Sequence, residues 1–317
     1  MLELAAKFVP AADEVYRLQN LQTGTDPECR LFQKFAELGH YGGRPGTTRQ
    51  GTYCATPSGV LLASVNSNDP KRIADMLQGA LAKWKTLPRD ERLLPNDPRK
   101  QWGEVKRPER FYPKDGLVLY VTSRDMPREA AKAKPAKADW REHAWNQDYA
   151  WFTASEAKQL LPKQVEVGQK RQLPVPILHR IACAHLVDNV RGQTAPFEEN
   201  QVKKARLTVE VTAVDGNVVS LRIEGETLTA DEGTRKHGLD MRLLGKATYH
   251  LTKERFLTFE MVAVGSRWGA TQLNSRKGDL EAAPIGILFT LAGNSRCERV
   301  APAFNHHPVY RPAVPLK

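Results

Sequence analysis

From Ala205 onward apolar and polar residues alternate one for one, with Leu207, Val209, Val211 and Ala213 set against Arg206, Thr208, Glu210 and Thr212. A period of two puts one set on a buried face and the other in water, so the stretch predicts a strand. Asp215-Gly216 then turns the chain into a second strand from Val218 to Glu224. Another hairpin is predicted over Met241 to Leu251, a Thr252-Lys253-Glu254 turn, and Arg255 to Val264. Residues 284–292 read as one more apolar strand. Five or more strands on short turns predict an antiparallel barrel or sandwich.

Upstream the spacing is helical. Met1 to Lys7 reads as the end of a helix. Asp26 and Pro27 have the residue types of a helix start, Gly39 those of a left-handed stop, and Leu31, Phe32, Phe35 and Leu38 mark a buried stripe between them. Asp69 and Pro70 repeat the device ahead of Ile73, Met76, Leu77, Ala80, Leu81 and Trp84. Thr153 and Glu156 have capping-box spacing for a short helix ending at Leu161-Pro162. Val175 to Val190 predicts a further helix, with Gly192 beyond its end.

Between these regions lies a stretch rich in proline and charge, residues 88–140, with one strand-like island at 116–122 and a low-complexity run at 129–138. Residues 302–317 read as an unpacked proline-rich tail. The organisation expected is therefore 1–87, a basic linker over 88–140, a helical segment plus β domain over 141–301, and the tail.

Charge sharpens that division. The net charge is +11. Residues 1–82 hold 8 Lys/Arg and 8 Asp/Glu, whereas residues 83–142 hold 16 and 10. The basic excess with Trp140, Trp145, Tyr149, Trp151 and Phe152 beside it suits nucleic acid, although interleaved acids favour a solvated linker. No apolar run reaches the roughly 20 residues of a membrane span. The start lacks a secretory leader, so the expected compartment is the cytoplasm, or a secreted or periplasmic one if the natural start lies further upstream.

Residues 48–64 read as strand, Pro-Ser-Gly turn and strand, and residues 68–84 as the helix that follows. With the Asp26–Gly39 helix before them, they resemble thioredoxin-like proteins from the second element of that fold on, over about a quarter of the chain. The closest correspondence is Ala-Thr-Pro-Ser-Gly-Val-Leu-Leu at 55–62. The family's redox cysteine pair would precede Met1, and Arg49-Gln50 stand where its cis-proline is usual. The whole chain looks similar to bacterial proteins that join such a segment to a β-rich C-terminal region. The resemblance implies an α+β fold class, a partial thioredoxin-like α/β domain followed by the barrel or sandwich, and no oxidoreductase activity.

Candidate chemistry is sparse. Four cysteines lie far apart with no C-x-x-C, which excludes a zinc module and a disulfide scaffold. Cys29, in the first turn of a helix, and Cys54, mid-strand, are the thiol candidates. His179 and Cys183 share a helical face and are the metal candidates. His185 with Asp188 at i+3 is the general-base candidate. Arg267, Trp268, Asn274 and Arg276 lie in a polar loop between strands that reads as a ligand mouth. Walker, G-x-S-x-G, H-E-x-x-H and dinucleotide motifs are missing, and no cofactor is implied. The expected function is a non-catalytic binding or interaction protein with an unidentified protein or small-molecule ligand. Its alternatives are a thiol-dependent redox protein using Cys29 or Cys54, and nucleic-acid binding through the basic segment.

Overall fold

In a computed structural model of the chain, placement is described for residues 2–11, 15–20, 27–42, 49–94, 111–128, 140–233, 236–293, 295, 298–305 and 307–310. The chain divides into two compact units, Met1–Arg107 and Pro108–Lys317.

In the first unit short helices α1 (Leu2–Ala5) and α2 (Val15–Asn20) precede α3 (Pro27–Leu38). A hairpin of β1 (Thr52–Ala55) and β2 (Leu61–Val65) leads into α4 (Pro70–Thr86) and a single turn, α5 (Arg89–Arg92). The α4 start forms as its residues dictate: the Asp69 side chain accepts from the Lys71 amide at 2.9 Å, and Pro70 fills a position whose amide would be unpaired anyway. Cys54, Leu62, Leu77 and Ala80 form its core, with Ile73, Met76 and Trp84 packed around them. Two details depart from expectation. Gly39 is not left-handed; it is required because a Cβ there would sit 2.6 Å from Ser64 Oγ and 2.8 Å from the Phe35 carbonyl. Leu38, expected in the buried stripe, is 65% exposed. The proposed Asp26 cap lies outside the described residues.

The second unit is built on one antiparallel sheet of eight strands, in the order β4-β3-β10-β9-β8-β7-β6-β5. Its long members are β6 (Val202–Asp215), β7 (Val218–Asp231), β8 (His237–His250) and β9 (Arg255–Trp268). Neighbours in sequence pair as a meander. Gly216 has φ +53, the conformation the tight β6–β7 turn needs. Then β10 (Ala283–Leu291) joins β9 to β3 (Leu117–Asp125), and β3 pairs with β4 (Trp145–Phe152). At the far edge β5 (Lys170–Gln172) pairs with β6.

This overturns the expected fold class. Among the described residues the chain is mostly β, the large sheet is not closed into a barrel, and the first unit has a two-stranded antiparallel sheet, with little of the helical content of a thioredoxin-like α/β domain. The expected sandwich fails for a physical reason: the partner layer is not a second sheet. The inner face is covered by α6 (Ala154–Lys158), α7 (Val175–Arg180), a π-helical turn Ile181–His185 and the segment 302–310. Leu207, Val209, Val211, Leu221, Ile223, Met241, Met261, Ile285 and Phe289 fill that side. A gap lined by Leu119, Phe152, Ile181, Leu207 and Phe289 among others has about 10 Å³, room for one water at most.

The segment 88–140 is not one linker, because it contains β3, an interior strand of the sheet. Nor is 302–317 unpacked throughout. Tyr310 is buried, the Ala303 amide donates to Asp148 Oδ1 at 2.9 Å, and this stretch therefore covers the β4 edge. The helix expected over Val175 to Val190 stops early, since the Leu186 amide bonds back five residues to Ile181 at 2.9 Å.

Candidate interaction surface

In an antiparallel sheet residues directly opposite one another share a face. The register puts Glu224, Leu244, Val262, Leu288 and Thr122 in one row on the outer face, across β7, β8, β9, β10 and β3. The next row is Glu226, Arg242, Val264, Gly286, Arg124 and Trp145. Leu244 is 57% exposed, Val262 37%, Val264 43% and Leu288 42%. Gly286 leaves no gap: the Met126 sulfur lies 3.1 Å from where its Cβ would be, and Met126 is itself 40% exposed. Trp145 extends the apolar surface to β4. Single exposed leucines need no explanation, but a contiguous group does.

Around this patch stand the cations Arg124, Arg242 and Lys246 and the anions Glu224, Glu226, Asp240 and Glu260. The rim mixes both signs. The other half of the same face, over β5 to β7, is a ladder of alternating signs. Arg206 and Lys204 reach Glu226 at 3.0 and 2.7 Å, Arg222 reaches Glu210 at 2.7 Å, and Lys170 reaches Glu210 at 3.5 Å. The Arg222 hydrogen bond holds the Glu210 carboxyl below its usual range, and Lys204 does the same for Glu226.

The residues singled out from sequence lie elsewhere, and most are occupied. Arg267 and Arg276 are fully buried. Arg276 forks onto Asp188 at 2.8 Å through Nε and Nη2, and onto Asp125 at 2.6 and 2.8 Å. Arg267 donates to both the carboxylate and the carbonyl of Asp279. Arg191 and Arg128 reach the same Asp279 carboxylate at 2.9 and 2.6 Å. Burial alone would raise Asp279, but the surrounding guanidiniums outweigh it and hold the carboxyl at about 2. Asn274 accepts from the Thr271 amide at 3.0 Å, and the Trp268 ring lies over Gly238. The expected ligand mouth is thus a closed ion cluster that ties the β9–β10 loop to β3, a correction that follows from Asp125 and Asp188 meeting Arg276 from distant parts of the chain.

His185 and Asp188 are not a pair. The helical turn ends at His185, with Leu186 at φ −93 and ψ 73, so Asp188 is not its i+3 neighbour on a helix. His185 Nε2 lies 2.5 Å from the Tyr310 hydroxyl and Nδ1 3.7 Å from Asp148, while Asp188 belongs to Arg276. All three of His185, Tyr310 and Asp148 are buried, so this chain of polar groups clasps segment 302–310 and does not face a substrate. Beside it Arg180 is bidentate to Glu156 at 2.6 and 2.9 Å and lies over the Phe152 and Tyr310 rings. Sequence reasoning missed this clasp, because Tyr310 is 125 residues from His185.

The cysteine candidates are buried. Cys29 lies in the first unit within α3, and Cys54 packs against Met76 with burial pushing its thiol upward. Cys183 is sealed in the large core, where burial and then Glu199 and Glu198 push the thiol up to about 12. His179 leaves it for Glu199 at 3.1 Å. Among the described residues no three His, Cys, Asp or Glu side chains are arranged to hold a metal, and no helix is long and apolar enough to cross a membrane. A wide hollow of about 810 Å³ at one end of the sheet is lined by Lys114, Asp115, Lys253, Glu254 and Arg255, again of both signs.

The signal for the outer patch was present in the sequence as broken alternation. Leu243-Leu244, Met261-Val262-Ala263-Val264 and Ile287-Leu288-Phe289 are apolar on both faces where a half-solvated strand would alternate. No family model matches the chain, nor does any curated protein or solved structure.

Proposed function

We propose that this chain is a non-catalytic interaction protein that associates with a second copy of itself through the apolar half of the outer sheet face. The observation behind the reading is the unbroken group Leu244, Val262, Val264 and Leu288, continued by Met126 and Trp145. Burying such side chains against another surface gains roughly 25 cal/mol per Å² of apolar area. The mixed rim argues for the occupant. Cations and anions side by side suit a self-complementary surface, in which each sign meets the other across a two-fold axis. A nucleic acid or an anionic bilayer would instead select for excess positive charge. The non-catalytic part of the reading is supported by the occupation of Arg267, Arg276, His185 and Asp188 in internal bonds.

Sedimentation velocity across a concentration series tests it. Wild type is expected to shift from monomer to dimer with rising concentration. Leu244→Glu combined with Val262→Glu is expected to stay monomeric with unchanged circular dichroism. A wild-type chain that stays monomeric throughout, or a dimer indifferent to the two charges, overturns the reading.

A further inference from the structure

The first unit holds a groove unrelated to the large sheet. It has a volume of about 520 Å³ and runs along β2, with residues 59–64 as its floor. Lys34, Leu38, Gly39 and His40 at the end of α3 form one wall and Lys83 of α4 stands on the other side. The walls are fixed by contacts. Phe32 packs edge-on against Tyr53, the His40 amide donates to Ser64 Oγ at 2.9 Å, and Lys83 Nζ donates to the Leu61 carbonyl at 2.8 Å.

Among the described residues β2 is an edge strand, since β1 pairs with one side of it and the sheet has two strands. Among the described residues no backbone group outside β1 bonds to Leu61–Val65. One carbonyl on that edge, Leu61's, is taken by Lys83, and beyond it the strand carries no guard in its own sequence. Leu-Leu-Ala-Ser-Val contains neither proline nor charge, the usual devices that prevent pairing with another chain. The large sheet does the opposite: β5 is three residues long with two of them charged, and β4 is covered by segment 302–310. A two-stranded sheet is also short of the three strands that make a stable layer.

The lining has one sign. Among the described residues its ionisable side chains are Lys34, His40 and Lys83, with no carboxylate. Leu38, exposed at the rim, offers an apolar contact to alternate side chains of an extended segment. From these observations we infer that the free edge of β2 captures an extended acidic peptide as a third strand. Main-chain hydrogen bonds supply the pairing, and Lys34 and Lys83 select for Glu or Asp.

The test uses the full chain and a blocked ten-residue synthetic peptide alternating Val with Glu, alongside its Lys counterpart and the Glu peptide N-methylated at alternate amides. Fluorescence anisotropy is expected to show binding of the Glu peptide, with Lys34→Glu/Lys83→Glu about tenfold weaker. The Lys and N-methylated peptides are expected not to bind. Hydrogen exchange should show new protection at amides within 61–65 in the wild-type complex. Leu244→Glu/Val262→Glu should bind the peptide normally, which separates this site from the sheet-face association. Equal binding of Glu and Lys peptides, binding of the N-methylated peptide, no binding at millimolar peptide, or protection confined to other strands each overturns the proposal.

Discussion

The outer face of the large sheet carries two halves made from the same strands but finished differently. Over β5, β6 and β7 charges pair across the strands, as Glu226 does with Lys204 and Arg206 and Glu210 with Arg222 and Lys170. Over β8, β9 and β10 the equivalent positions are Leu244, Val262, Val264 and Leu288, and their only charges form a rim. Exposed ion pairs contribute little to stability, but they keep a face hydrated and monodisperse. An exposed apolar group contributes nothing to the isolated fold and gains free energy only when another surface covers it. The contrast therefore separates a face finished for water from a face finished for a partner.

That contrast presupposes a common platform, and the largest effect should come from removing it. Arg276→Ala leaves Asp125 and Asp188 facing each other without their shared guanidinium, and should cost about 3–5 kcal/mol in urea unfolding. A loss below about 1 kcal/mol would mean the cluster is not the tie between β3 and the β9–β10 loop.

Next in size is the apolar half itself. Leu244→Glu/Val262→Glu should weaken self-association about a hundredfold while leaving the melting temperature within a few degrees. Tyr310→Phe, which strips the hydroxyl from buried His185, should cost about 1–3 kcal/mol and leave association unchanged. The smallest effect belongs to the charged half. Glu210→Gln/Glu226→Gln should lower the melting temperature slightly in low salt and not at all in 0.5 M salt, with no change in association (roughly the behaviour of exposed ion pairs). If that pair abolished association instead, the two halves would have exchanged roles.

Acid offers a further contrast. Asp279 sits at about 2 because its arginines outweigh burial, and Asp125 and Glu156 are also lowered despite burial, by Arg276 and Arg180 respectively. A carboxylate whose folded value is depressed adds stability that is complete above its unfolded value of about 3.9 for Asp. That contribution disappears as pH falls through the folded value of about 2. The melting temperature should be flat from neutral pH to about 5 and fall below about 4. A melting temperature that rises on acidification would contradict the cluster's ionisation state.

The local devices of this fold were legible in the sequence, and the long-range ones were not. Alternation at Leu207, Val209 and Val211 named the inner face correctly, Ala213 beyond the register shift is exposed instead, and Thr153 with Glu156 forms its capping box. Asp69-Pro70 opens a helix as expected. Periodicity names a strand without naming its partner, so nothing in residues 116–122 announced that β3 would pair with β10 more than 150 positions away. The same silence made a closed barrel or a sandwich as reasonable as an open sheet. The polar loop at Arg267 and Arg276 read as a ligand mouth for a related reason, since composition shows the cations and hides the aspartates that reach them from β3 and residue 188. His185 meets Tyr310 and not Asp188 because the helix ends at His185, and residues three apart share a face only inside a helix.

Covering of the apolar half is tested most directly at Met126, which stands exposed just past the end of β3, over Gly286. Its rate of oxidation by dilute peroxide, read by mass spectrometry of the intact fold, should fall several-fold between dilute and concentrated protein. Leu244→Glu/Val262→Glu should hold it at the dilute rate throughout. A Met126 oxidised equally fast at every concentration, in a sample that sediments as a dimer, would place the contact on some other surface and contradict the account.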